Sequence, residues 1–251
     1  MTARAAEEPG VDLRTELPAD SHPGEAIGGR ERTVVEIPTE HGLSRLTIDI
    51  APEQRAVLWL GHGAGGGIEA RDLAALASRL PHRGVTVARY EQPWRVAGKR
   101  IGSRPAALDA AWLQTSPVVS ELADGMPLLC GGRSAGARVA CRTATQTGAA
   151  GVVCLAFPLH PPGAPEKSRL SELLQPVVPV LVLQGGRDTF GSAELVAAES
   201  REAERIRVIE VPDGDHSFAT RKSSGWNAER VEGLVTDSVL AFVEQVLAAR
   251  D

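Results

Sequence analysis

Cysteine is scarce: the 251-residue chain has three, Cys130, Cys141 and Cys154, each inside an apolar segment. An odd, small number so placed excludes a disulfide frame and reads as buried thiols in a reducing compartment. Basic residues are not in excess either. With 27 Lys and Arg against 32 Asp and Glu, a net charge of −5 and a pI near 5.7, the chain offers no electrostatic ground for a nucleic-acid or anionic-membrane partner; a small molecule or a protein fits better. No apolar stretch reaches the ~18 residues of a membrane span. The N-terminal residues hold no apolar signal region, and the six histidines show no metal-ligand spacing. These absences predict a cytoplasmic protein with no metal and no cofactor, and leave its oligomeric state open.

Apolar residues make up 43% of the chain, enough to bury a large core, and the length suits one α/β domain. Residues 1–30 are rich in Pro, Gly, Glu and Ala without periodicity and read as a disordered or loosely docked leader, so the domain is expected over 31–251. "RTVVEIP" and "SRLTIDI" are separated only by "TEHGL", too short for a crossover helix, which predicts an antiparallel hairpin. After it, strand-type runs at 56–60, 85–90, 127–131, 151–157, 178–184 and 206–212 alternate with helical patterns near 69–80, 105–115, 135–147, 168–174, 192–203 and 227–249. The expectation is an eight-stranded, mostly parallel sheet with an antiparallel hairpin at its first edge and helices on both faces. The last helix is the clearest, with Val231, Leu234, Val235, Val239, Phe242, Val243 and Val246 on one face.

The stretch "VLWLGHGAGGG" admits two readings. Gly61, Gly63 and Gly66 fit G-x-G-x-x-G between a strand and a helix, and Glu91 falls about where a ribose-binding acid would, which is the dinucleotide-binding context. Two strands precede this loop, however, whereas a dinucleotide fold normally starts with that strand. The other reading is an oxyanion loop, and it gains from "GRSAG", Gly132–Gly136, which fits the nucleophile elbow G-x-S-x-G between a strand and a helix, with small residues around the serine.

A serine hydroxyl is a poor nucleophile at neutral pH unless a base takes its proton and a carboxylate orients that base. "VLVLQGGRD" delivers Asp188 just beyond one strand and "IRVIEVPDGDH" delivers His216 just beyond the next, in the order Ser, Asp, His that this topology requires. Asp213 and Asp215 compete for the acid role; the plain alternatives for Ser134 and Asp188 are helix caps. The backbone N–H groups of Ala64, within "HGAGGG", and Ala135 are the candidate oxyanion donors. Trp94, His160 and Arg133 are candidate substrate-pocket residues. His62 is expected to fix the glycine loop by hydrogen bonds, and Arg95, Lys99 and Arg100 in "WRVAGKR" form either a solvated loop or an attractor for an anionic substrate.

Taken together, "HGAGGG", "GGRSAGARVA", "FPLHPPG", "QGGRDTFG" and "GDHSF" resemble the α/β-hydrolase superfamily over about residues 31–250. Within it they are similar to the small dienelactone-hydrolase-like subgroup that includes testis-expressed-type hydrolases and the hydrolase-like domain of a non-specific-lethal chromatin complex subunit. The resemblance implies a compact, nearly lidless fold with Ser134, Asp188 and His216 as its triad. Dienelactone hydrolases proper use cysteine as nucleophile, so their substrate does not carry over. Only about twenty residues separate Phe157 from Val178, with room for one short helix and no cap, which favours short acyl groups over long-chain lipids. The expected activity is hydrolysis of small carboxylic esters, thioesters or lactones by a serine enzyme. The rival is a binding protein of the same fold without turnover, a rival that the chromatin-subunit resemblance raises.

Overall fold

The computed structural model describes residues 32–100 and 102–250, so the expected leader at 1–30 lies outside the described residues. β1 (Arg32–Thr39) and β2 (Gly42–Asp49) form the expected antiparallel hairpin, Thr39 pairing with Gly42 across a two-residue turn. Gly42 takes the positive φ of 111° that the turn needs. β2 then lies antiparallel to β4 (Val85–Glu91). Every later pairing is parallel: β4 with β3 (Ala56–Gly61), β3 with β5 (Leu128–Arg133), and then β6 (Gly151–Leu155), β7 (Val180–Gly185) and β8 (Ile206–Val211) in turn. The sheet order is β1-β2-β4-β3-β5-β6-β7-β8.

The central strands β3, β6 and β7 are apolar but for Gln184 because both faces are covered. Alternate residues Val57, Trp59, Cys130, Val152, Cys154 and Val182 pack with α3 (Pro105–Ala123) and α4 (Ala135–Thr143). The intervening Leu58, Leu60, Leu129, Val153, Leu155, Leu181 and Leu183 pack with α1 (Arg71–Arg79) and α7 (Ala228–Ala248). Of the predicted α7 face, Val231, Val235, Val239, Phe242, Val243 and Val246 are buried. Leu234 packs at its margin.

Two helical segments depart from expectation. α3 runs eight residues past its expected end at 115, straight through Pro117. A helix-interior proline costs ~3 kcal/mol, and burial of Val119 and Ala123 beyond it, with Val118 and Leu122 packed alongside, offsets that cost. α2 (Pro93–Val96), a single turn opened by proline, occupies what reads in the sequence as a loop. α5 (Leu170–Leu173) is the one helix between β6 and β7, and α6 (Ala193–Ser200) follows β7. The loops that leave β3, β5, β7 and β8 therefore share the C-terminal edge of the parallel sheet, where α/β proteins place their sites.

Candidate active site

Ser134 sits between the end of β5 and the start of α4 with φ 51° and ψ −107°, a conformation a non-glycine residue adopts only under constraint. Its N–H donates to the Leu155 carbonyl at 2.9 Å. The constraint comes from backbone packed on backbone. A Cβ on Gly136 would stand 2.3 Å from the Gly61 oxygen, and one on Gly131 would stand 2.5 Å from the Val153 oxygen. The small residues that the sequence places around the serine are thus required by contact.

The Ser134 hydroxyl lies 3.0 Å from His216 Nε2, and His216 Nδ1 lies 2.8 Å from Asp188 Oδ2. A carboxylate only accepts, so Nδ1 carries the proton and Nε2 is free to accept from the serine. Asp188 is fully buried at its side chain. The Gln184 amide donates to its Oδ2 at 3.0 Å and the Phe190 N–H to its Oδ1 at 2.8 Å. The Phe190 ring stacks on the imidazole, centroids 4.1 Å apart.

The competing acids are engaged elsewhere. Asp213 accepts from the Arg221 side chain and N–H and pairs with Arg187; the Arg221 contact chiefly holds its carboxyl down to about 2. Asp215 accepts from the N–H groups of Ser217 and Ala219.

The glycine loop after β3 leans on the same serine. A Cβ on Gly63 would be 3.5 Å from that of Ser134. His62 donates from Nδ1 to the Gly63 carbonyl at 2.8 Å and accepts at Nε2 from the Gln92 N–H at 3.2 Å, so both ring nitrogens hold the loop. Burial pushes its pKa down, which keeps it neutral. The N–H of Ala135 opens α4 and has no intrahelical acceptor. Among the described residues the N–H of Ala64 has no backbone acceptor either.

Two cavities meet at Gly63 and Ala64. The larger, about 660 Å³, is lined by Ser134, His216, Phe218 and the first turn of α1. The smaller, about 240 Å³, is lined by Ala64, Ala135, Trp94, Leu108, Trp112 and Val139. Trp94 is held there by α2, its ring edge-on to His62.

Arg133 borders the larger cavity, but its guanidinium donates to the Asp72 carboxylate and to the backbone carbonyl of His216. His160 borders neither cavity; its Nδ1 donates to the Pro161 carbonyl at 2.9 Å. Arg95, Lys99 and Arg100 are exposed, with the Arg95 guanidinium against Gly67. The three cysteines are buried and free. Burial pushes Cys130 up to about 12, and Cys141 and Cys154 lie 3.5 Å apart at sulfur, which raises the Cys154 thiol. Among the described residues no group of three His, Cys, Asp or Glu could hold a metal, and no helix is long and apolar enough to cross a membrane.

Sequence reasoning overlooks Gln184, Phe190 and the Asp72–Arg133 pair. A glutamine ending the apolar strand "VLVLQ" is a signal that could have been read.

Residues 54–244 match the family described as Alpha/beta hydrolase domain. Among solved structures, an α/β serine hydrolase homologue from Coxiella burnetii is similar at 18% identity and TM-score 0.66, over 82% of this chain and 96% of that one. A lidless α/β serine hydrolase from Xanthomonas campestris is similar at 19% identity and TM-score 0.65, over 90% and 96%. Est1E from Butyrivibrio proteoclasticus follows at 16% identity and TM-score 0.64, over 84% and 99%. At these identities the likeness is one of fold.

Proposed function

The chain belongs to the alpha/beta hydrolase domain family, and from that premise we propose that it is a serine-dependent hydrolase of small carboxylic esters, thioesters and lactones included. The observation that carries the reading is the hydrogen-bonded series Ser134, His216, Asp188, at 3.0 and 2.8 Å, on three separate strand-end loops. Ser134 Oγ attacks the carbonyl while His216 Nε2 takes its proton. Asp188 holds the imidazole in the Nδ1–H tautomer and stabilises the imidazolium. The N–H groups of Ala64 and Ala135 receive the oxyanion. His216 then protonates the departing alcohol, and water, deprotonated by the same imidazole, cleaves the acyl-serine.

His216 lines the larger cavity, so the leaving group belongs there. The acyl group belongs in the smaller, aromatic-walled cavity beside both oxyanion donors. A volume of about 240 Å³ supports short acyl chains, and the lidless link from β6 to β7 agrees with that and with the small dienelactone-hydrolase-like subgroup. Buried free thiols support a reducing, cytoplasmic setting.

The test is intact-mass spectrometry after exposure to a fluorophosphonate, on wild type and Ser134→Ala. A single adduct on wild type, absent from the variant, is expected, and an acyl series should then favour the short members. No adduct on folded wild type would shift the reading to a binding protein of this fold.

A further inference from the structure

His216 stands in the long loop between β8 and α7, five residues past the end of β8. Its ring is oriented by Asp188, but the backbone that carries the ring needs its own anchor. Arg133, immediately before the nucleophile, supplies one. Nη2 donates to the His216 carbonyl, Nη1 donates to Asp72 in the first turn of α1, and Cζ lies 5.1 Å from the centroid of the Phe218 ring. One side chain thus joins the elbow, the first helix and the histidine loop. The Arg133 side chain is 12% exposed and that of Asp72 5% exposed, so water competes weakly for either bond. Two acceptors lying apart suit a planar fork, which an ammonium cannot match.

We propose that Arg133 is a positioning residue, holding the His216 main chain so that Nε2 meets the Ser134 hydroxyl, with Asp72 as the buried counter-charge that fixes the guanidinium. This rests on the hydrolase reading above. Arg133 does not touch the reacting atoms; it acts through His216. Nη1 and Nη2 each donate to a protein acceptor, and the guanidinium charge is paired with that of Asp72.

The experiment measures the rate of Ser134 phosphonylation by a fluorophosphonate, followed by intact mass, together with kcat and KM on an aryl acetate. It compares wild type with Arg133→Ala and with Arg133→Ala/Asp72→Asn. The double variant leaves no charge buried alone and serves if the single one does not fold.

Displacing the base by an ångström costs about 10²-fold, so phosphonylation and kcat should both fall by that order. KM should stay near wild type and the thermal transition cooperative, and added ethylguanidinium should restore part of the rate. A folded variant labelled at the wild-type rate overturns the proposal, as does a loss that ethylguanidinium leaves untouched. An unlabelled wild type removes the hydrolase reading and this inference together, whereas a labelled wild type with an equally fast variant removes this inference alone.

Discussion

Ser134 and His216 face each other across 3.0 Å, yet they are held by different means. On the serine side the holding is done by main chain: Gly131, Gly132 and Gly136 press on Val153, Gly61 and each other, with would-be Cβ positions at 2.3 to 2.5 Å from carbonyl oxygens. On the histidine side it is done mostly by side chains. Asp188, Arg133, Asp213 and Asp215 each tie the loop by hydrogen bonds that a single substitution can remove. The first arrangement tolerates no change of shape and the second tolerates changes of geometry, so errors on the two sides should show themselves in different measurements.

The sharpest use of that contrast is to remove the reacting group from the rigid side. Ser134→Ala takes away Oγ without touching any packing contact, so ester hydrolysis should fall by about 10⁶-fold with an unchanged melting temperature. Residual activity near wild type would end the assignment. On the other side, Asp188→Asn removes the acceptor that sets the imidazole tautomer, and kcat should drop about 10⁴-fold while circular dichroism stays native. Gly136→Ala breaks the comparison differently. Its methyl would meet the Gly61 oxygen, and urea unfolding should register a loss of about 3 kcal/mol or more.

The smallest effect belongs to Asp213. Its folded carboxyl is held at about 2, chiefly by Arg221, below the ordinary 3.8. Its contribution is therefore complete above about pH 4 and lost as the pH falls through 2. Asp213→Asn should flatten stability against pH within that window, read by thermal melts at a series of acid pH values, and leave the slope above it unchanged.

The same division decides what could be read from the sequence. All eight strands were legible, the central ones because a parallel sheet covered on both faces leaves uninterrupted apolar runs such as "AVLWL" and "GVVCL", the first two because a five-residue link admits only a hairpin. The elbow was legible because crowding by backbone admits only glycine and alanine, which is a local signature. So was the order Ser134, Asp188, His216, since each lies within five residues of the end of its strand.

The end of α3 was not, because "SP" is a local stop signal that burial of Val119 and Ala123 overrides. The role of Arg133 was not, because its partners Asp72 and His216 stand 61 and 83 residues away and no local pattern joins them. The two cavities, and the absence of His160 from both, depend on how loops lie over one another, about which periodicity is silent.

The sheet order also has a meaning in time. From β6 onward each strand is laid beside the one made just before it, so the sheet grows at a single edge as the polypeptide is synthesised. Ser134 emerges with the fifth strand, while its imidazole partner comes 82 residues later, after the eighth. At translation speeds of 5–20 residues per second, that interval is roughly 4–16 s. A nascent chain throughout that interval carries Ser134 without its imidazole neighbour, and the hydrogen bond between them forms only once the eighth strand has been made.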